Sequence, residues 1–153
     1  MTIMAETITP ERLDALLAED SIPSLHRALW QLLWETDIRV LDLLSLDVAE
    51  VDQDGGLIAR AGAPFPVALS ARALDLLAPL IAGRAAGPLF GTGNERLRAL
   101  SWEEAVRGAR EHGLAIHAFR TAGKRHRSRA GAREAARATA ADAATDAAAP
   151  GLA

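Results

Sequence analysis

The chain has 153 residues, half of them apolar and 24% charged, which suits one soluble globular domain with a core of useful size. No run of about 18 apolar residues exists, so no membrane partner is expected. Residues 1–9 lack a basic stretch followed by an apolar one, so no signal peptide is read. The absence of cysteine excludes a disulfide framework and a thiolate metal site; no cofactor is expected, and a cytoplasmic location is the default. The net charge of −3 hides an asymmetry, because residues 1–119 sum to −7 and residues 120–153 to +4. An acidic body with a basic tail is compatible with nucleic acid without indicating it.

In chain order, Thr9-Pro10-Glu11 predicts a helix start, with a Thr cap, Pro at the first helical position and an acid near the positive end. Leu13, Leu16 and Leu17 give it an apolar stripe. Ser24 is expected to cap a second helix, apolar on most sides and therefore buried, that stops near Thr36-Asp37. Trp30, Trp34 and Trp102 are expected as core or half-buried anchors. A short helix over 39–44 follows, with Val40, Leu41, Leu43 and Leu44 as core positions. Asp54-Gly55-Gly56 signals a tight turn. Residues 57–60 and 65–69 read as a hairpin, with 48–51 a candidate third strand. Ser70 caps a helix that Gly83 stops. Residues 83–94 read as loop, with Pro88-Leu89-Phe90 a buried anchor. Ser101-Trp102-Glu103-Glu104 is a capping-box pattern opening a helix to Gly113. After Arg120 the only large apolar residue is Leu152, so residues 121–153 are expected to be an Ala/Arg-rich tail, a frayed helix or disordered. The domain is then residues 9–120, with 1–8 a flexible N-terminus. The fold class expected is mainly α with a small antiparallel β-hairpin sheet.

Two pieces carry the functional reading. Thr36-Asp37-Ile38-Arg39-Val40-Leu41-Asp42-Leu43-Leu44-Ser45-Leu46 places one arginine in a segment that otherwise favours burial. His117-Ala118-Phe119-Arg120 has the same look. Two such cations with a histidine are what a site for one phosphate needs, since a guanidinium offers phosphate oxygens a two-pronged fork. By spacing alone, Arg39 with Asp42 and His117 with Arg120 are equally pairs one helical turn apart on a surface.

In order and spacing, with the hairpin between them, the two pieces resemble the catalytic arginine boxes of tyrosine recombinases, the phage-integrase family. The resemblance spans about residues 9–120. It implies a recombinase-like catalytic domain acting in DNA recombination and integration, with DNA as partner. It makes Arg39 and Arg120 the two catalytic arginines that hold the scissile phosphate and stabilise developing charge. His117 becomes the histidine that assists proton transfer or orients the phosphate, a residue type that titrates near neutral pH. Asp42 becomes the acid that supports the first box. The basic run Lys124, Arg125, Arg127 and Arg129 stands as a nucleic-acid-binding candidate beside its reading as a solvated segment.

The chain departs from the family pattern where chemistry matters most. It contains no tyrosine, the residue that would attack DNA. Arg60 is the only basic residue where the family has a hairpin lysine. No Leu-Gly-His box follows Arg120, and the family's N-terminal clamping domain is missing. The expectation is a truncated, inactive remnant that at most binds DNA weakly, because the covalent intermediate needs the nucleophile. The alternative is a DNA-binding or partner-binding regulatory module reusing the fold. A frameshift in a GC-rich gene would produce the sharp end of the match at Arg120. Loss of covering helices would leave an apolar patch and favour self-association.

Overall fold

The computed structural model of the protein describes residues 8–93 and 95–148, with side-chain surroundings through Thr139. Among the described residues, three α-helices precede a small antiparallel sheet, and a fourth helix, a second small sheet and two further helices follow. Helix α1 (Pro10–Leu17) starts at Thr9, whose hydroxyl accepts from the Arg12 amide. Its stripe Leu13, Leu16 and Leu17 is buried, as the periodicity predicts. The expected flexible N-terminus lies outside the described residues except for Ile8, which is core at 2% exposure.

Helix α2 (Ser24–Glu35) is the central element. Residues 28–34 are all buried, Trp30 and Trp34 among them. A helix apolar on every side can only be satisfied inside, and α2 packs against α1, α4 (Ala71–Ile81), α5 (Trp102–Arg110) and α6 (Ile116–Ala148). Ser24 is not its cap: Pro23 holds that position without a side-chain bond, and Ser24 is the first helical residue. Thr36 ends the helix in extended backbone, and its hydroxyl donates to the Leu32 carbonyl. Arg39 then holds the position before α3 (Val40–Leu44) without a side-chain capping bond. Leu41, expected in the core, is instead 64% exposed.

The third strand of the sheet exists, displaced from where periodicity placed it. Residues 48–50 form a 3-10 turn capped reciprocally by Asp47 and Glu50, so pairing begins only at β1 (Val51–Asp52). Strand β2 (Leu57–Ile58) pairs antiparallel with β1 and with β3 (Val67–Ala68), giving the order β1-β2-β3. Arg60 ties this sheet to α3: its guanidinium meets Glu50 at 2.7 and 2.9 Å and the Ser45 hydroxyl and carbonyl at 2.8 and 2.9 Å. The region read as loop after Gly83 holds a second sheet, β4 (Gly91–Thr92) with β5 (Arg98–Ala99). Leu89 and Phe90, directly before it, are fully buried.

Residue 120 lies inside a helix. No break occurs there: α6 runs unbroken through Ala148. Ala122 and Gly123 are buried beyond the expected boundary, and only from residue 128 to 139 is every side chain exposed. A helix already anchored has its nucleation cost met, and alanine then extends it at little further expense. No helix among the described residues is long and apolar enough to cross a membrane.

Candidate phosphate-binding cleft

Three helix starts bring the predicted residues together. Arg39 holds the position before α3, Trp102 is the first residue of α5, and His117 and Arg120 lie in the opening turns of α6. All four line one cleft of about 410 Å³. Its lining combines the polar Arg39, Asp42, His117 and Arg120 with the apolar Val40, Leu41 and Trp102. The N-terminal ends of α5 and α6 border it, which adds their positive dipole ends to the cations.

Each side chain is held for a reason visible in its element. Arg39 is 77% exposed and its Nε donates to Asp42 Oδ2 at 3.1 Å, which leaves the terminal nitrogens of the fork uncommitted. Phe119 stacks on Trp30 in the core, centroids 4.9 Å apart and planes 9° from parallel. That fixes the roll of α6 and leaves His117 and Arg120, one helical turn apart, on the same side of the helix facing the cleft. Arg120 Nη2 donates to the Asp37 carbonyl at 3.1 Å, and its Nε is buried without an acceptor. His117 packs against Trp102, centroids 5.4 Å apart and tilted by 48°.

Trp102 is placed by a tight local frame. Ser101 and Glu104 form the predicted capping box. Arg98 on β5 adds two bonds to the Glu104 carboxylate, at 2.7 and 3.0 Å. Arg98 and the Ser101 groups together hold the Glu104 pKa down at about 2. Trp102 was read as a packing anchor. It is half-buried, and it is also a wall of the cleft, a role its place at the start of a capped helix did not reveal.

The basic run after Arg120 does not act as one cluster, because a helix turns 100° per residue. Arg127 points inward. It donates to the carbonyls of Trp34 and Thr36 and to Asp37 Oδ1, the last at 2.8 Å, so its donors are spent on the end of α2 and the turn leading to Arg39. Arg127, a nucleic-acid-binding candidate by sequence, has these donors directed to the protein. Lys124 lies two turns after His117 and shares its face. Arg125 and Arg129 lie on the other side of α6, beside a small hollow of about 80 Å³ with Trp34 and His126. Arg60, bound to Glu50 and Ser45, is not among the residues lining the cleft.

Among the described residues, no group of three or more His, Asp or Glu side chains is placed to hold a metal. Among the described residues, the exposed large apolar side chains are Leu41 and Leu97. Comparison with protein-family models, with curated proteins and with solved structures finds no match for this chain.

Proposed function

We propose that the cleft binds a phosphodiester of DNA and that the domain is related to the catalytic domain of tyrosine recombinases. The observation that carries this reading is the convergence of Arg39 with His117 and Arg120, two segments about 80 residues apart in sequence, on one cleft. Two guanidiniums and an imidazole facing one space suit a phosphate, and charged forks are the stronger hydrogen-bond donors. The order of elements, with a three-stranded sheet between the two arginine boxes, is in keeping with that relationship.

The chain contains no tyrosine. The proposed role is therefore phosphate binding without strand cleavage, as an inactive relative of the enzymes or as a module that occupies DNA. Binding to duplex DNA, measured by anisotropy at low and at moderate salt, is expected to weaken with salt. Substituting both Arg39 and Arg120 with Ala should reduce affinity by about tenfold or more, the scale of two charge-assisted contacts. Equal affinity of the double variant and the parent protein would move the binding away from this cleft and end the proposal.

A further inference from the structure

We infer that the cleft takes an unpaired nucleotide, with a phosphate on the arginines and a base against the apolar side formed by Leu41 and Trp102. This rests on the phosphate reading above and adds a ligand class to it.

The argument starts from size. At about 410 Å³ the cleft is in the range of sites that enclose a whole small molecule, so a phosphate alone does not fill it, and its lining also includes Val40, Leu41 and Trp102. Leu41 is then the telling residue. It lies in a helix whose other apolar residues, Val40, Leu43 and Leu44, are buried, yet its own side chain is 64% exposed at the cleft. Beside it stands Trp102, half-buried and held by the Ser101–Glu104 capping box and Arg98. A rigid indole and an exposed isobutyl group next to paired guanidiniums match the two halves of a nucleotide. Stacking of bases on aromatic side chains beside a cationic track is how unpaired strands are held without sequence preference. A base within a duplex is covered on both faces by its neighbours and cannot reach such a wall. The ligand implied is a single strand, a frayed end or a flipped nucleotide.

The experiment compares three probes of equal length at one low salt concentration: single-stranded oligo-dT, the same phosphodiester chain with abasic sites, and duplex DNA. Affinity is read by titration, and Trp102 emission is followed in parallel, with the Trp102→Phe variant isolating its share. The single strand is expected to bind about tenfold more tightly than the abasic chain and to quench Trp102. Trp102→Ala should erase that difference while Trp102→Phe keeps most of it. Leu41→Ser, at an exposed position, should reduce it without disturbing the fold. If the abasic chain and oligo-dT bind equally, and both lose affinity in Arg39→Ala, the base site is overturned and the phosphate site stands. If Arg39→Ala changes nothing for any probe, the phosphate reading falls and this inference falls with it.

Discussion

Gly123 of α6 lies against the backbone of Trp34 so closely that a β-carbon at position 123 would overlap the Trp34 carbonyl group. The two central helices therefore meet backbone to backbone. Gly123→Ala must push them apart, and its expected cost is about 1–3 kcal/mol, the usual scale of overpacking. Gly131 gives the contrast, because nothing lies within reach of a β-carbon there. Gly131→Ala should stabilise by about 0.5–1 kcal/mol through helix propensity alone. Urea unfolding of both variants checks the opposite signs; a stable Gly123→Ala would mean the helices do not touch there.

Arg127→Ala is expected to destabilise the fold by about 1–3 kcal/mol, since it strips the carbonyls of Trp34 and Thr36 of a partly buried donor. Arg127→Lys should not restore the loss, because one ammonium cannot reach three acceptors as the planar fork does. Arg125→Ala and Arg129→Ala, on the exposed side, should stay within about 0.5 kcal/mol of the parent protein. Similar losses for all three arginines would argue against the inward placement of Arg127.

His26 gives a pH dependence with a definite sign. Burial lowers its pKa below the ordinary 6.5, against the opposing pull of Glu111 and Glu104, and with a smaller lowering from His112. The folded state therefore favours the neutral ring. Above pH 6.5 both states are neutral and the burial costs nothing in protonation. Below it the unfolded chain takes up the proton first, so stability falls as pH falls until the folded pKa is passed. Melting temperatures of the protein and of His26→Gln between pH 6.5 and 4.5 should diverge in slope, the variant being flatter. Parallel slopes would remove His26 as the cause.

Glu104 works in a lower window. Its pKa is held at about 2 against an ordinary 4.5, mainly by Arg98 and then by the Ser101 groups. Its contribution is complete above pH 4.5 and is lost as pH falls toward about 2. Glu104→Gln keeps a capping acceptor but loses the ion pair, so it should be less stable than the parent above pH 4.5, with the gap closing in acid. A gap that persists at low pH would show that the cap, and not the charge, carries the effect.

Local signals in the sequence were good guides to where helices start. Thr9, Ser70 and Ser101 cap where their residue types predict, because a cap is decided by the few residues beside it. Leu41 and Arg127 were misread for the opposite reason. An apolar residue in an apolar run is assigned to the core by pattern, and only the placement of α5 and α6 reveals that Leu41 faces a cleft. An arginine in a basic run is assigned to solvent, and only the crossing at Gly123 brings Trp34 and Thr36 within its reach. The β4–β5 pair was missed because two-residue strands carry no alternation to detect. The polar residues of the cleft are legible as two separate motifs, while the contribution of Leu41 and Trp102 to its lining is not.

The continuity of α6 has a mechanical side. The helix is gripped by the body from Ile116 to Arg127, and its next 21 residues, about 30 Å at the helical rise, extend as a single rod. A load on that rod is felt at the grip, where Gly123 is the fulcrum, with Arg120 three residues before it and Arg127 four residues after. Tilting the rod moves these two arginines in opposite senses, and both hold the turn that presents Arg39. The same short grip thus joins both arginines of α6 to the one turn that presents Arg39.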